Sequence, residues 1–325
     1  MIDCLSSPEW ISPQINCLLF LQNYRTGILE NFDPFFLSVT IFGEFWLPTL
    51  ICAITYWCID FRAGIYLCSM AGFNVFLAHF LKMIACVYRP WILDNRIHPS
   101  ELAIPFAKGY SCPSGHSAMS SSVLGGVAFL IRKHKFLCLF LIFIILLVGF
   151  SRLWLGVHTP QDVISGFAIG LILIFAVNSL INWAEKDKNR YLHILGTMNI
   201  LAILALIYII YFNTCRIDYV GNELLVNPMK QIYVTIVVYA YTLGFLNGCF
   251  LCRKFFPFNP KDVTIKRRIA RGIIGGTGLI LVLKFILSSI IINIISLKIA
   301  IPVMFLTGVS ITLIYPLIFT HSRKI

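Results

Sequence analysis

Runs of about 20 mostly apolar residues recur along nearly the whole chain, and no other feature so narrows what it can fold into. A bilayer core about 30 Å thick takes one such run per helical crossing. Lipid offers the backbone no hydrogen-bond partner, so each run closes its bonds internally as a helix. The expected fold is therefore all-α, a polytopic transmembrane helix bundle of about nine spans. These fall near residues 36–59, 64–88, 114–131, 136–155, 160–184, 191–212, 231–252, 270–292 and 298–320. Composition agrees, with 58% of the 325 residues hydrophobic, 12% charged and a mean hydropathy of +0.85, far from the balance of a soluble domain. Residues 13–25 are too short to cross and interleave polar positions, so residues 1–35 read as an interfacial amphipathic segment rather than a signal peptide. There is no internal repeat, and the longest polar connections are residues 89–113, 213–230 and 253–269.

A formal charge of +12 could suggest nucleic acid, but its distribution argues for membrane topology instead. Arg62 lies in one turn; Arg132, Lys133 and Lys135 in the next on that side; then Lys186, Lys188 and Arg190. Arg253, Lys254, Lys261, Lys266, Arg267, Arg268 and Arg271 follow, and the series closes at Arg323 and Lys324, making 16 of the 26 basic residues. The positive-inside rule makes these turns cytoplasmic and puts residues 89–113, 156–159 and 213–230 on the extracytoplasmic side. No nucleic-acid partner is expected.

Most of the 11 cysteines (Cys52, Cys58, Cys68, Cys86, Cys138 and Cys249 among them) fall within spans and read as small apolar packing residues. Cys4, Cys112 and Cys215 face outward without defining a disulfide framework, and Cys249-x-x-Cys252 lacks partners for zinc. No metal site is assigned.

Charged and imidazole groups at membrane-edge depth on the outer side gather in three clusters, and such groups are costly there without a task. The first is Lys82-x6-Arg89-Pro90, which sets two cations on one helical face and suits a phosphate. Equally, Lys82 could snorkel to headgroups and Arg89 pair with a lipid or with Asp94. The second is Pro113-Ser114-Gly115-His116, just before an apolar run, so its amides open a helix whose dipole favours anions. Gly115 allows close approach, although Ser114 could simply be an N-cap. Ser117, Ala118, Ser120, Ser121, Ser122, Gly125 and Gly126 behind it are small residues suited to tight helix packing. The third is Ser151-Arg152-x5-His158-x3-Asp162. Arg152 can hold phosphate oxygens in bidentate fashion, His158 can attack phosphorus, and Asp162 can fix the imidazole tautomer. Asp162 also fits a plain helix start after Thr159-Pro160.

Together these segments resemble the signature of the type 2 phosphatidic acid phosphatase superfamily, KX6RP, PSGH and SRX5HX3D, matched without departure. The resemblance covers residues 36–184 as a catalytic core and leaves residues 185–325 as transmembrane helices of unassigned role. It implies that His158 is the nucleophile, Asp162 its orienting partner and His116 the general acid. Lys82, Arg89, Ser114, the Gly115 amide and Arg152 would hold the phosphate oxygens. No cofactor or divalent metal is implied, and Asp94 and Glu101 are too few carboxylates to bind one.

The partner implied is a membrane lipid phosphate or pyrophosphate, such as undecaprenyl pyrophosphate or phosphatidate. The apolar and charged mixture of residues 91–112 favours an anchored substrate, and a bacterial plasma membrane with the site facing outward is the expected location. A soluble phosphomonoester, as in the related glucose-6-phosphatase branch, and phosphotransfer to another acceptor are the competing enzyme readings. Glu44 and Lys284, both within apolar runs, are the best case for a transporter.

Overall fold

The computed structural model describes residues 11–25, 32–187, 189–212, 215, 218–220, 223–291 and 296–321. Cys4, Lys188, Arg323 and Lys324 lie outside the described residues. The apolar runs are helices, as the lipid argument requires, and the only strands among the described residues are Tyr219–Val220 and Glu223–Leu224, paired antiparallel. Nine spans are not confirmed: among the described residues six helices are long and apolar enough to cross a membrane, or seven if the bent pair Asp33–Gly43 and Trp46–Ile59 forms one crossing. The helix opened by Ser114 holds only 16 residues, ~24 Å at 1.5 Å per residue and short of the hydrocarbon thickness. Serine- and glycine-rich sequence reads as apolar in a long window, but it does not lengthen the helix.

The chain divides into two compact units. The first comprises residues 1–44, 77–171 and 209–232. Helix α1 (Ser12–Arg25) buries Ile15 and Leu18, with Ile11, against Ile97 and the rims of Trp91, Leu93 and Leu153. Arg25 donates to the carbonyl oxygens of Trp154 (3.0 Å) and His98, so α1 straps the connection at residues 94–100. Helix α2 (Asp33–Val39) sets Phe36 into a cluster with Ala103, Ala107, Trp154, Leu155 and Val157. The unit also holds the last turns of α3, to be taken as Phe61–Ala85, then α4 (Pro90–Leu93), α5 (Gly115–Leu130), α6 (Lys135–Trp154) and the first half of α7 (Pro160–Glu185). Close packing of α5 on α7 depends on small residues. A Cβ on Gly166 would lie 2.7 Å from the Ser114 carbonyl oxygen, and Ser117, Ala118, Ser120, Ser121 and Ser122 are all buried.

Cys86 is more than a packing residue. It packs against the cluster of Met83, Tyr88, Tyr110, Ile209 and Val226 and forms a disulfide with Cys215, joining the end of α3 to the connection after α8 (Arg190–Tyr211). A span assignment made from hydropathy hides this pairing, because Cys86 sits among apolar residues just past the last helical residue, Ala85. Closing a loop of 129 residues restricts the unfolded chain, so reduction, or Cys86→Ser with Cys215→Ser, should remove about 2–4 kcal/mol of stability. Thermal unfolding in detergent with and without reductant measures this.

The second unit comprises residues 45–76, 172–208 and 233–325. Its most buried helix is α9 (Pro228–Phe255), against which α11 (Leu297–Val309) approaches so closely that a Cβ on Gly308 would lie 2.3 Å from the Tyr241 carbonyl oxygen. Polar contacts gather among its basic turns. Arg253 pairs with Glu185 at 2.5 Å, Arg62 donates to Asn182 and Lys261 lies 3.7 Å from Asp60. Lys284 is exposed on α10 (Ile265–Ile291).

Candidate active site

All eight sequence-selected residues lie in the first unit. Lys82 sits on the last turn of α3, Arg89 just before α4, and Ser114 caps α5 by accepting from the Ser117 amide at 3.4 Å. Gly115 and His116 form the first turn of α5, Arg152 the last turn of α6, His158 the turn after it, and Asp162 the first turn of α7. The candidate residues thus lie at five helix termini, the ends of α3 and α6 and the starts of α4, α5 and α7. Helix ends are where backbone groups lack intrahelical partners, so a polar site forms there without breaking a crossing.

His158 is buried, with 2% of its surface exposed, and held at both nitrogens. Arg89 Nη1 lies 2.9 Å from Nε2. A guanidinium only donates, so Nε2 is the unprotonated nitrogen and Nδ1 carries the hydrogen. Nδ1 faces Asp162 Oδ2 at 3.3 Å and Ser111 Oγ at 3.2 Å. Burial, and next the Arg89 charge, hold the His158 pKa well below its usual value, against the opposing pull of Asp162. The ring is therefore neutral from below pH 6.5 upward. If the free-enzyme rate requires this neutral ring, the acid limb of kcat/KM should fall below about pH 6.5, which a pH series in detergent will show.

Asp162 Oδ2 accepts from the Thr159 amide at 2.9 Å as well as from Ser111 Oγ at 2.5 Å, so the carboxylate both starts α7 and faces the imidazole. The two uses share one oxygen and do not compete. Its own carbonyl accepts from the Ser114 amide at 2.8 Å, tying the α5 cap to α7.

The two cations of the first cluster do more than face an anion. Lys82 Nζ donates to the carbonyl oxygens of Tyr110 and Ser111, both at 3.0 Å. Arg89 donates to Gly109 (3.1 Å), Lys108 (3.3 Å) and Val157 (2.9 Å) in addition to His158. They therefore fasten the segment leading into Pro113 and the turn bearing His158. Asp94 takes Arg96 instead, at 2.7 Å, so the pairing of Arg89 with Asp94 does not occur.

Arg152 is 1% exposed and its Nε has no hydrogen-bond partner among the described residues. It interacts electrostatically with Arg89 and with Glu44, which stands at the break between Gly43 and Trp46 rather than within a continuous span. His116 lies in the field of Arg152, His158, Arg89 and Lys82. A Cβ on Gly115 would meet nothing within 4 Å, leaving open space against the first amides of α5. Buried cations, an unsatisfied guanidinium N–H and an open helix N-terminus together make an anion site. Among the described residues no three metal-ligating side chains converge.

Residues 63–186 match the PAP2 superfamily, and residues 236–324 match the PAP2 superfamily phosphatase, transmembrane extension. The chain belongs to the PAP2 superfamily. The PAP2 match contains all eight residues, and the extension match gives a family assignment to helices for which the sequence alone offered only hydropathy. Over 115 residues the chain is 34% identical to a phosphatidylglycerophosphatase B of Bacillus subtilis, covering 33% of this chain and 54% of that protein. It is 32% identical over 114 residues to an undecaprenyl-diphosphatase of Sulfolobus acidocaldarius, covering 35% and 53%. A lipid A 4'-phosphatase of Bacteroides thetaiotaomicron is 26% identical over 173 residues, covering 50% and 74%. The chain thus spans about half the length of the first two PAP2 relatives. No solved structure gives a significant match.

Sequence reasoning missed Ser111, which touches both His158 and Asp162. A lone serine two residues before PSGH carries no periodic or charge signal, and only its proximity to the motif could have drawn notice. The backbone acceptors of Lys82 and Arg89 were likewise invisible, since any residue supplies a carbonyl.

Proposed function

We propose that the protein is an integral-membrane phosphatase that hydrolyses a lipid phosphate or pyrophosphate through a phosphohistidine formed on His158. The observation that carries this reading is the buried neutral imidazole, with Nε2 as the free base and Nδ1 turned to a carboxylate, beside the open N-terminus of α5. Nε2 attacks phosphorus, the charge that develops on the ring is balanced by Asp162, and His116 protonates the leaving oxygen. Water, deprotonated by His116, then releases phosphate and restores the ring. Arg152, Arg89, Lys82, Ser114 and the Gly115 amide neutralise the equatorial oxygens. This reaction needs no divalent metal, because its cations are supplied by the chain itself.

A lipid substrate is favoured by the names of the relatives and by the connection beside the site. Ala103 and Ala107 pack onto Trp154, Leu155 and Val157, while Leu102, Ile104 and Phe106 remain exposed. A substrate anchored by its tail meets an apolar surface next to the anion site. An extracytoplasmic site in a bacterial plasma membrane fits two further features. Cys86–Cys215 is a disulfide beside the site, as an oxidising compartment favours. Along α3, Arg62 of the basic turns is 20 residues from Lys82, ~30 Å and one membrane thickness away.

The test is phosphate release by purified protein in detergent and chelator, from undecaprenyl pyrophosphate, phosphatidate and glucose 6-phosphate in parallel. Release from a lipid at full rate in chelator is expected. Cleavage of glucose 6-phosphate alone would move the assignment to soluble phosphomonoesters, and dependence on added magnesium would remove the metal-independent mechanism.

A further inference from the structure

Ser111 occupies a position that none of the three motifs includes. Its hydroxyl is fully buried and lies 2.5 Å from Asp162 Oδ2, a distance typical of O–H donation to a carboxylate. With its proton committed there, Oγ is left as an acceptor, and the group facing it is His158 Nδ1 at 3.2 Å. The Nδ1 hydrogen is therefore shared between Ser111 Oγ and Asp162 Oδ2, which stands 3.3 Å away. One acceptor fixes the tautomer; two, bonded to each other, also fix the rotation of the ring about its axis.

Ser111 is itself held in place. Its carbonyl accepts from Lys82 Nζ and its amide donates to the Val87 carbonyl at 2.7 Å. Lys82 thus reaches the imidazole through the backbone of Ser111. The neighbouring Cys112 thiol contacts Ser165 Oγ at 3.6 Å. The charged or titratable groups surrounding the triad are Lys82, Arg89, His116, Arg152 and Cys112. Cys112 also hydrogen-bonds Asp162, and Nδ1 itself is met by Ser111 and Asp162.

We propose that Ser111 is a positioning residue of the phosphoryl-transfer site, which orients the nucleophilic imidazole by bridging Asp162 and Nδ1 and aims Nε2 at the bound phosphate. The inference rests on the phosphohistidine reading and adds to it a fourth segment, Ser111 on the connection fastened by Lys82. The bridge matters most when Nε2 carries the phosphoryl group, because the ring is then cationic and its Nδ1–H is a stronger donor. The Ser111 hydroxyl is engaged by Asp162 and His158, so its effect belongs on kcat and not on phosphate affinity.

The experiment compares wild type, Ser111→Ala and Ser111→Thr in detergent, using phosphatidate for turnover and inorganic phosphate as a competitive ligand. For Ser111→Ala kcat should fall by roughly 10- to 100-fold, the scale seen when the hydrogen-bond partner of a working histidine is removed. KM and the inhibition constant of phosphate should remain within about twofold, and the acid limb of kcat should move to lower pH, because the protonated His158 ring loses the Ser111 acceptor at Nδ1. Ser111→Thr, which keeps the hydroxyl, should recover part of the rate.

Unchanged kcat and an unchanged pH profile in Ser111→Ala would overturn the proposal. So would a loss of rate matched by equal losses in phosphate affinity and thermal stability, since that pattern marks a structural residue. Absence of turnover in wild type would instead count against the underlying phosphatase reading, leaving the two failures distinct.

Discussion

His158→Ala should abolish phosphate release from a lipid phosphate, lowering kcat by about four orders of magnitude or more, as loss of a covalent nucleophile does in other hydrolases. The ring is enclosed, with Nε2 held by Arg89 and Nδ1 by Asp162 and Ser111, so no solvent-exposed base stands ready to replace it. His116 cannot take over, since it belongs to the first turn of a different helix, α5, and would be asked to act as acid and nucleophile together. Phosphate release and trapped phosphoenzyme should vanish together. Retention of either one in the variant would separate His158 from the chemistry.

Arg89→Lys is expected to have the next largest effect, a loss of about 10²- to 10³-fold in kcat, the range for removal of one preorganised transition-state donor. Charge is conserved, yet an ammonium cannot reproduce a planar fork. Arg89 spreads its three nitrogens over the carbonyls of Lys108, Gly109 and Val157 and the His158 ring. A lysine retains one or two of these at best, so the Val157–His158 turn loosens from the segment before Pro113. Arg89 Nη1 also lies 2.9 Å from Nε2, so the proposed mechanism has it move from the ring to the incoming phosphate before attack. Steady-state kinetics on the folded variant will read the loss. A kcat within threefold of wild type would show that charge alone, not the fork, is what the position supplies.

What was legible in the sequence follows the physics of each signal. Lipid forces helices, so hydropathy located most of them, and charges at membrane depth are rare enough that three clusters were conspicuous. The crossing count was less legible, because the serine- and glycine-rich stretch after Ser114 is apolar on average but yields a helix of only 16 residues. A break at Gly43–Glu44 likewise divides what reads as one run, and it brings Glu44 within the field of Arg152. Cys86 was concealed by its apolar neighbours, and its pairing with Cys215 is a matter of tertiary structure. The candidate residues were selected by type and spacing, and all eight lie in the first unit. Their division of labour was not legible, since Lys82 and Arg89 spend most of their donors on main-chain carbonyls, and Ser111 has no spacing to reveal it.

The central claim is the covalent step on His158, and rapid quenching of wild type with a ³²P-labelled lipid phosphate tests it most directly. The expected result is a burst of protein-bound label that is lost in acid, survives in base, maps to the peptide containing His158 and is absent from His158→Ala. Rapid turnover with no trapped label, or label stable to acid on a serine, would contradict the account.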